Sequence, residues 1–177
     1  MALVVFLRGI NVGGHKSLRP TLLAEQLKHY GVVNLGAAGT FVVRRPISQR
    51  RIRAEFERRL PFQAEVIICR SGDLLSAASA TRFEGAPQRS DVVRFVSVLS
   101  RSPLRPPSIP FDVPPDGKWF LRVLSREGRF LFGVYRRHMQ TIRHLGTLDR
   151  LFGGPITTRS WSTITAIVNI LLEGERS

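Results

Sequence analysis

Hydrophobic positions in the first 70 residues follow two alternating patterns. Short apolar runs, which predict buried strands, occupy Leu3 to Arg8, Val32 to Leu35, Phe41 to Arg44 and Ala64 to Cys69. Between these runs, apolar residues recur at helical spacing, first after Pro20 and again at Ile52, Phe56 and Leu60. The resulting order β-α-β-β-α-β predicts a split β-α-β unit, which is a ferredoxin-like plait.

The rest of the chain predicts a second, smaller α+β half. The segment Ser102 to Asp116 holds six of the eleven prolines and is therefore expected to be an irregular loop. The other predicted elements are a helix at Asp73 to Ala80, a strand at Asp91 to Leu99, a hairpin of Lys118 to Ser125 with Arg129 to Arg136, a helical turn or two at Thr147 to Phe152, and a last helix through Trp161, Ile164, Ile167, Val168 and Leu171. We expect an α+β protein with an N-terminal unit at 1–82 and a C-terminal unit at 83–177, which can pack as one compact domain.

The chain carries a large excess of positive charge, with 27 Lys and Arg against 13 Asp and Glu and a formal net charge of +14. Such an excess favours anionic partners such as nucleic acid, nucleotides, other phosphates or membrane surfaces. Arg accounts for 24 of the basic residues and Lys for three. GC-rich codons explain Arg in place of Lys, but they do not explain the shortage of Asp and Glu. The net charge alone therefore has two alternative explanations, binding of a polyanion and a GC-rich codon bias in the genome.

The single cysteine, Cys69, lies in an apolar run and is expected to be a buried structural thiol. One cysteine cannot form an intrachain disulfide, which suits a reducing compartment. The apolar start Met1 to Leu7 is too short for a secretory signal, and no apolar run approaches the roughly 20 residues that span a bilayer. We therefore expect a cytoplasmic protein with no membrane partner.

A glycine-rich segment, Gly9 to Ser17, lies between the first predicted strand and the first predicted helix. Glycines there let backbone N–H groups approach an anion, and a helix N-terminus adds its dipole. The spacing G-x-x-x-G-G does not match the dinucleotide fingerprint, and His15 separates Gly14 from Lys16, so the P-loop pattern fails by one residue. A looser anion-binding turn and a purely structural turn remain as alternatives.

The opening L-R-G-I-N-V-G-G-H, Leu7 to His15, resembles the first motif of the bacterial family of unknown function DUF1697. Members of that family continue with a central Y-x-Q-S-G-N-V-V-F stretch and a C-terminal T-T-R-N-W-N-T. The corresponding segments here are L-G-A-A-G-T-F-V-V, Leu35 to Val43, and T-T-R-S-W-S-T, Thr157 to Thr163. The resemblance spans nearly the whole chain.

This resemblance implies plait-like α+β units and a bacterial source, and it implies no established activity. The polar positions of the central motif are replaced by Ala37, Ala38 and Thr40, and both asparagines of the last motif are replaced by Ser160 and Ser162. If the family holds a ligand through those amides, this chain has lost or altered that ligand.

The C-terminal motif places Thr157 or Thr158 at the predicted N-cap of the last helix, where a hydroxyl accepts an N–H bond. Arg159 and Ser160 then lie near a helix N-terminus, which is a common anion site. The hypothesis of a joint anion site requires this turn and the glycine-rich segment to lie side by side. The candidate ligand-binding residues are Arg8, Asn11, Gly13, Gly14, His15, Lys16, Thr158, Arg159 and Ser160.

The predicted hairpin interleaves aromatic residues with arginines, which is typical of single-strand nucleic-acid binding but also of core packing. No catalytic constellation is evident. The four histidines show no metal-ligand spacing, there is no nucleophile elbow, and no cofactor motif fits. His15 is the one candidate acid or base. We therefore expect a non-catalytic binding protein for nucleic acid or a phosphate-bearing ligand, with an enzyme acting on a phosphorylated or nucleotide-like substrate between the halves as the alternative.

Overall fold

The computed structural model describes residues 1–175. The chain forms two compact units, one of Met1–Ser76 with the chain from Thr165 onward and one of Ala77–Ile164. Each unit contains one antiparallel sheet, and the described residues hold five α-helices in all. The predicted α+β class is confirmed.

The first unit has the predicted β-α-β-β-α-β order of elements. Its sheet is antiparallel throughout and has the strand order β2-β3-β1-β4, so the first strand lies in the middle. The elements are β1 (Leu3–Leu7), α1 (Pro20–Gln26), β2 (Val32–Asn34), β3 (Thr40–Val43), α2 (Gln49–Arg59) and β4 (Val66–Arg70), followed by α3 (Ser71–Ala77).

The central position of β1 explains its unbroken apolar sequence, because all five of its residues are buried. Helix α2 begins after Ser48, whose hydroxyl accepts the Arg51 backbone N–H at 3.2 Å. Its apolar side chains Ile52 and Phe56 are fully buried in the core of the first unit. Cys69 on β4 is buried, as predicted.

The second unit contains a five-stranded antiparallel sheet with the strand order β6-β7-β8-β5-β9. The predicted hairpin is confirmed as β7 and β8, which pair along their length with one irregularity. The elements are β5 (Val92–Leu99), β6 (Phe111–Val113), β7 (Leu121–Glu127), β8 (Phe130–Arg136), α4 (Thr141–Phe152) and β9 (Ile156–Ser160), and α5 (Trp161–Glu175) begins in this unit.

Two predictions in this unit are wrong at their boundaries. The proline-rich segment contains the short strand β6, which is possible because β6 is an edge strand and pairs only with β7. Helix α4 begins at Thr141 rather than Thr147. The Thr141 hydroxyl donates to the carbonyl of Arg136 at 2.6 Å, which fixes the start of the helix directly after β8.

The predicted N-cap at Thr157 or Thr158 is also wrong. Both residues lie in β9, where they pair with Val98 and Ser97 of β5. β-branched threonines suit a strand, and the helix begins only after Ser160. The Ser160 hydroxyl accepts the backbone N–H of Thr163 at 3.3 Å, so Ser160 is the capping residue.

No helix among residues 1–175 has the length and apolar character needed to cross a membrane.

Candidate functional site

The glycine-rich opening forms a small hairpin rather than a helix entrance. The His15 N–H donates to the Val12 carbonyl at 3.1 Å, and the two residues form an isolated bridge. Gly13 and Gly14 between them have φ angles of 58° and 75°. Two consecutive positive φ values define the tight type I′ turn, which explains the glycine pair. Helix α1 begins only at Pro20, so these glycines do not lie at its N-terminus.

The side-chain amide of Asn11 holds this hairpin in place. Its Nδ2 donates to the carbonyls of Leu18 at 3.0 Å and Ala37 at 2.8 Å, and its Oδ1 accepts the Leu18 N–H at 2.8 Å. These bonds occupy both ends of the amide. The geometry therefore gives Asn11 a structural role and links the opening to the loop before β3.

Gly39 brings the opening and the central motif into direct contact. Its carbonyl accepts the Leu7 N–H at 2.7 Å. A Cβ atom at Gly39 would lie 2.7 Å from Cδ1 of Ile10 and 2.8 Å from Cβ of Leu7, which no side chain tolerates. Ala37 and Ala38 are exposed beside it, whereas Thr40 is fully buried.

A cleft of about 760 Å³ in the first unit brings together two of the predicted residues, Arg8 and Lys16. The Lys16 ammonium donates to the Gln63 carbonyl at 2.9 Å. Two carboxylates, Glu57 and Glu65, line the same cleft. Arg53 also lines the cleft, so it has three cationic side chains and two carboxylates, and the carboxylates weaken its attraction for an anion.

A second cavity, a wide-open depression of about 540 Å³, lies within the second unit and is lined by basic, hydroxyl and apolar side chains. We call it the arginine cavity. Its lining residues with charged, hydroxyl or aromatic side chains are Arg89, Arg94, Arg137, Ser90, Ser160, Ser162 and Trp161.

The three arginines of the cavity differ in how their guanidinium groups are engaged. Arg89 forms a bidentate pair with Asp91, at 2.9 Å for Nε to Oδ1 and 3.1 Å for Nη2 to Oδ2. Desolvation raises the pKa of the Asp91 carboxyl, but the bonds and charge of Arg89 outweigh it and leave that pKa below its ordinary value. Within residues 1–175, the guanidinium groups of Arg94 and Arg137 form no hydrogen bond or ion pair.

Aromatic side chains hold Arg94 at the cavity. Its guanidinium carbon lies 5.3 Å from the ring centroid of Phe83, which is a cation–π distance. The Phe83 ring in turn meets Trp161 edge to face, with 5.0 Å between centroids. The stacked position leaves the N–H edges of Arg94 for another acceptor.

The N-terminus of α5 forms another wall of the arginine cavity. The Ser160 hydroxyl lies 2.9 Å from the Ser162 hydroxyl and 3.0 Å from that of Thr163. Because α5 is 15 residues long, its dipole places partial positive charge at this end. Hydroxyls and helix dipole therefore add to the charge of the arginines.

The model of the family described as protein of unknown function (DUF1697) matches residues 1–109, which include the opening and the central motif. The chain belongs to this family. No curated protein matches the sequence. The conserved bacterial protein SP0830 from Streptococcus pneumoniae has a similar fold, with a TM-score of 0.61 and 16% identity over 96% of this chain and 98% of that one.

Two other predicted residues of this DUF1697 protein, Thr158 and Arg159, are engaged inside the second unit. The Thr158 hydroxyl lies 2.6 Å from that of Ser97 on the neighbouring strand. Arg159 is only 8% exposed and donates to the Thr157 hydroxyl at 2.8 Å and to the Thr158 carbonyl at 2.9 Å. Burial lowers the pKa of Arg159 to about 10. Of the three predicted residues in the last motif, Ser160 alone lines the arginine cavity.

Of the aromatic residues of the hairpin, the two phenylalanines on β8 pack inward, and the others are partly buried. Phe130 and Phe132 are buried, and Tyr135 stacks on Phe95 with 5.9 Å between centroids. The guanidinium carbons of Arg122 and Arg136 lie 4.6 Å and 4.3 Å from the centroid of the Trp119 ring. The core-packing interpretation of these residues agrees with this arrangement.

Sequence reasoning missed Arg89 and Arg94 and considered Arg137 only among the arginines of the hairpin, since no spacing links the three. Strand pairing brings their segments together, because Arg136 lies opposite Val92 and Ser160 lies opposite Phe95. The start of β5 and the ends of β8 and β9 therefore lie side by side at the same end of these neighbouring strands. The only available signal was that arginines flank the strands there.

Proposed function

We propose that this DUF1697 protein binds a small phosphate-bearing molecule in the arginine cavity. The observation that carries the proposal is that Arg94 and Arg137 both line one cavity, and that neither guanidinium forms a hydrogen bond or ion pair in the described chain. Guanidinium groups bind phosphate oxygens through charge-assisted, often bidentate, hydrogen bonds. A third arginine, a hydroxyl cluster and a helix N-terminus surround the same space.

The size and lining of the cavity support binding rather than catalysis. A volume of about 540 Å³ falls in the range of small-molecule sites, roughly 300–1,000 Å³. Its lining residues include no His, Cys, Asp or Glu, and the neighbouring Asp91 carboxylate is paired with Arg89. The alternative of an enzyme therefore draws no support from this site.

Titration of the Trp119→Phe protein tests the proposal. The chain has two tryptophans, so this variant leaves Trp161, which lines the cavity, as the sole indole reporter. Inorganic phosphate, pyrophosphate, a nucleoside monophosphate and a nucleoside triphosphate serve as probes. We expect saturable fluorescence changes that grow weaker as salt rises. Four probes that leave the fluorescence unchanged at low salt contradict the proposal.

Replacing Arg94 with Gln in that background is expected to weaken binding of the best probe about ten- to a hundredfold, since a hydrogen bond to a charged group contributes about 1.5–3 kcal/mol. Arg105→Gln is the matched control because Arg105 is exposed, lies in the same unit and does not line the cavity. It removes the same charge and should change affinity less than twofold. Equal losses in both variants contradict a specific site and indicate a non-specific charge effect.

A further inference from the structure

The segment 44–53 of the first unit concentrates positive charge without compensation. It contains five arginines in ten residues and no Asp or Glu. Four of these arginines, Arg44, Arg45, Arg50 and Arg51, are exposed. We call these four, together with His29, the basic ridge.

Charge placement along α2 sets the ridge apart from the rest of the helix. In its C-terminal half Glu55 pairs with Arg58 at 2.9 Å and with Arg59 at 2.5 Å. The first turn carries Arg50 and Arg51 and no acidic residue. Positive side chains at a helix N-terminus oppose the helix dipole, so the dipole does not account for this arrangement. An anion bound at this end would interact favourably with both the arginines and the dipole.

A pair of contacting rings, tilted by 47° to each other, joins the ridge to the segment that follows α1. The His29 and Tyr30 rings lie 3.9 Å apart between centroids. The Arg51 guanidinium lies 5.9 Å from the Tyr30 ring, and the Arg45 guanidinium donates to the His29 carbonyl at 2.9 Å. His29 is exposed, so its outer face is available to a flat group.

Backbone bonds hold the two segments of the ridge together. The Arg44 N–H donates to the Gly31 carbonyl at 3.2 Å, and the Arg45 N–H donates to the Tyr30 carbonyl at 3.1 Å. Gly31 has a φ angle of 66°, and a Cβ there would lie 3.2 Å from Cβ of Arg44. The close approach thus relies on glycine, and it places Arg44 and Arg45 next to the segment that carries the two rings.

We propose that the basic ridge binds single-stranded nucleic acid, with the arginines along the phosphate backbone and a base stacked on His29. Arginine-rich surfaces with an accessible ring are the features that single-strand binders share. An anionic lipid surface fits less well, because a membrane-binding helix exposes apolar side chains and those of α2, Ile52 and Phe56, are fully buried. The residues of the ridge belong to the first unit and those of the arginine cavity to the second, so the ridge proposal does not depend on the cavity.

Fluorescence anisotropy of a labelled oligodeoxythymidylate of about 12 nucleotides tests the ridge. The Arg44→Gln/Arg50→Gln protein is compared with Arg19→Gln/Arg105→Gln, which loses the same charge at exposed positions outside the ridge. Each lost phosphate contact lowers the log–log salt slope by about 0.7, so the ridge variant should lose about 1.4. We expect its affinity at low salt to fall about tenfold and the control to stay within twofold. Matching losses in the two proteins, or no oligonucleotide binding by the wild type, overturn the proposal.

A second comparison tests stacking. His29→Ala should weaken oligonucleotide binding about tenfold, and His29→Phe should retain it, because any flat ring stacks on a base. Equal affinities of the alanine and phenylalanine variants overturn the role of His29.

An Arg94→Gln/Arg137→Gln protein should bind the oligonucleotide as the wild type does. If that variant loses oligonucleotide binding and the ridge variant keeps it, the oligonucleotide binds at the cavity, and the ridge proposal is wrong. Tighter binding of the wild type to phosphatidylserine vesicles than to the oligonucleotide also overturns it.

Discussion

Replacing Gly133 with Ala is expected to reduce the free energy of unfolding of the second unit by about 3 kcal/mol, the upper end of the cost of overpacking. Gly133 lies on β8 in the middle of the sheet and is buried. A Cβ there would lie 2.3 Å from the carbonyl oxygen of Arg122 and 2.7 Å from Cζ of Phe95. The first of these atoms is backbone in a neighbouring strand, so it cannot move without disturbing the β7–β8 pairing.

Urea denaturation followed by circular dichroism measures this effect, and Gly146→Ala provides the matched control. Gly146 lies in α4 with no heavy atom within 4 Å of an added Cβ. Alanine at that position should stabilise the protein by about 0.5–1 kcal/mol because it lowers the entropy cost of forming a helix. If the two variants have the same midpoint, the close contacts at Gly133 do not govern the stability of this unit.

The Arg94→Glu/Arg137→Glu variant is expected to lose more than about a hundredfold in affinity for the best phosphate probe. Neutral replacements remove attraction, whereas glutamates also introduce repulsion against the ligand. Arg94 is half-buried near the start of β5, and Arg137 is exposed directly after β8. Neither guanidinium forms a hydrogen bond or ion pair within residues 1–175. The fold should therefore tolerate the change.

The control for this variant reverses two charges away from the arginine cavity, at Arg105 and Arg143, which are exposed in the same unit. We expect affinity to fall only a few-fold there, through the net charge of the protein. Circular dichroism establishes that both proteins are folded. Retention of binding by the Arg94→Glu/Arg137→Glu protein argues that the phosphate site lies elsewhere.

Local patterns were sufficient to predict the first unit. Its strands are short apolar runs, and its helices have buried positions such as Ile52 and Phe56 at helical spacing. Most of its glycines and prolines lie in the segments between these elements. Each of these signals acts within a few residues. The family match over residues 1–109 agrees with the opening motif that the sequence carries.

Elements of the second unit that depend on distant partners were not predicted. Strand β6 has three residues between prolines and exists because β7 offers it an edge to pair with. Strand β9 has the sequence I-T-T-R-S, which lacks the apolar run that predicts a buried strand. Its polar residues Thr157 and Arg159 are nevertheless buried. No local pattern identifies the strand that lies next to them.

The candidate site was predictable only in part, for the same reason. The glycine pair in the opening indicated a tight turn, but the structure shows that the turn closes a hairpin held by Asn11. Ser160 was correctly placed at a helix N-terminus. Arg94 and Arg137 lie 43 positions apart in the sequence, and the pairing of β5 with β8 brings their segments to the same cavity.

The most direct test of the arginine cavity is a map of backbone amide chemical shifts during titration with inorganic pyrophosphate. We predict saturable shifts concentrated at residues 89–94, at Arg137 and at Ser160 to Ser162, all with the same dissociation constant. The cleft that holds Arg8 and Lys16 should shift little, because Glu57 and Glu65 line it. Shifts concentrated at residues 8–16 and 53–66, or no saturable shifts at all, would contradict the account.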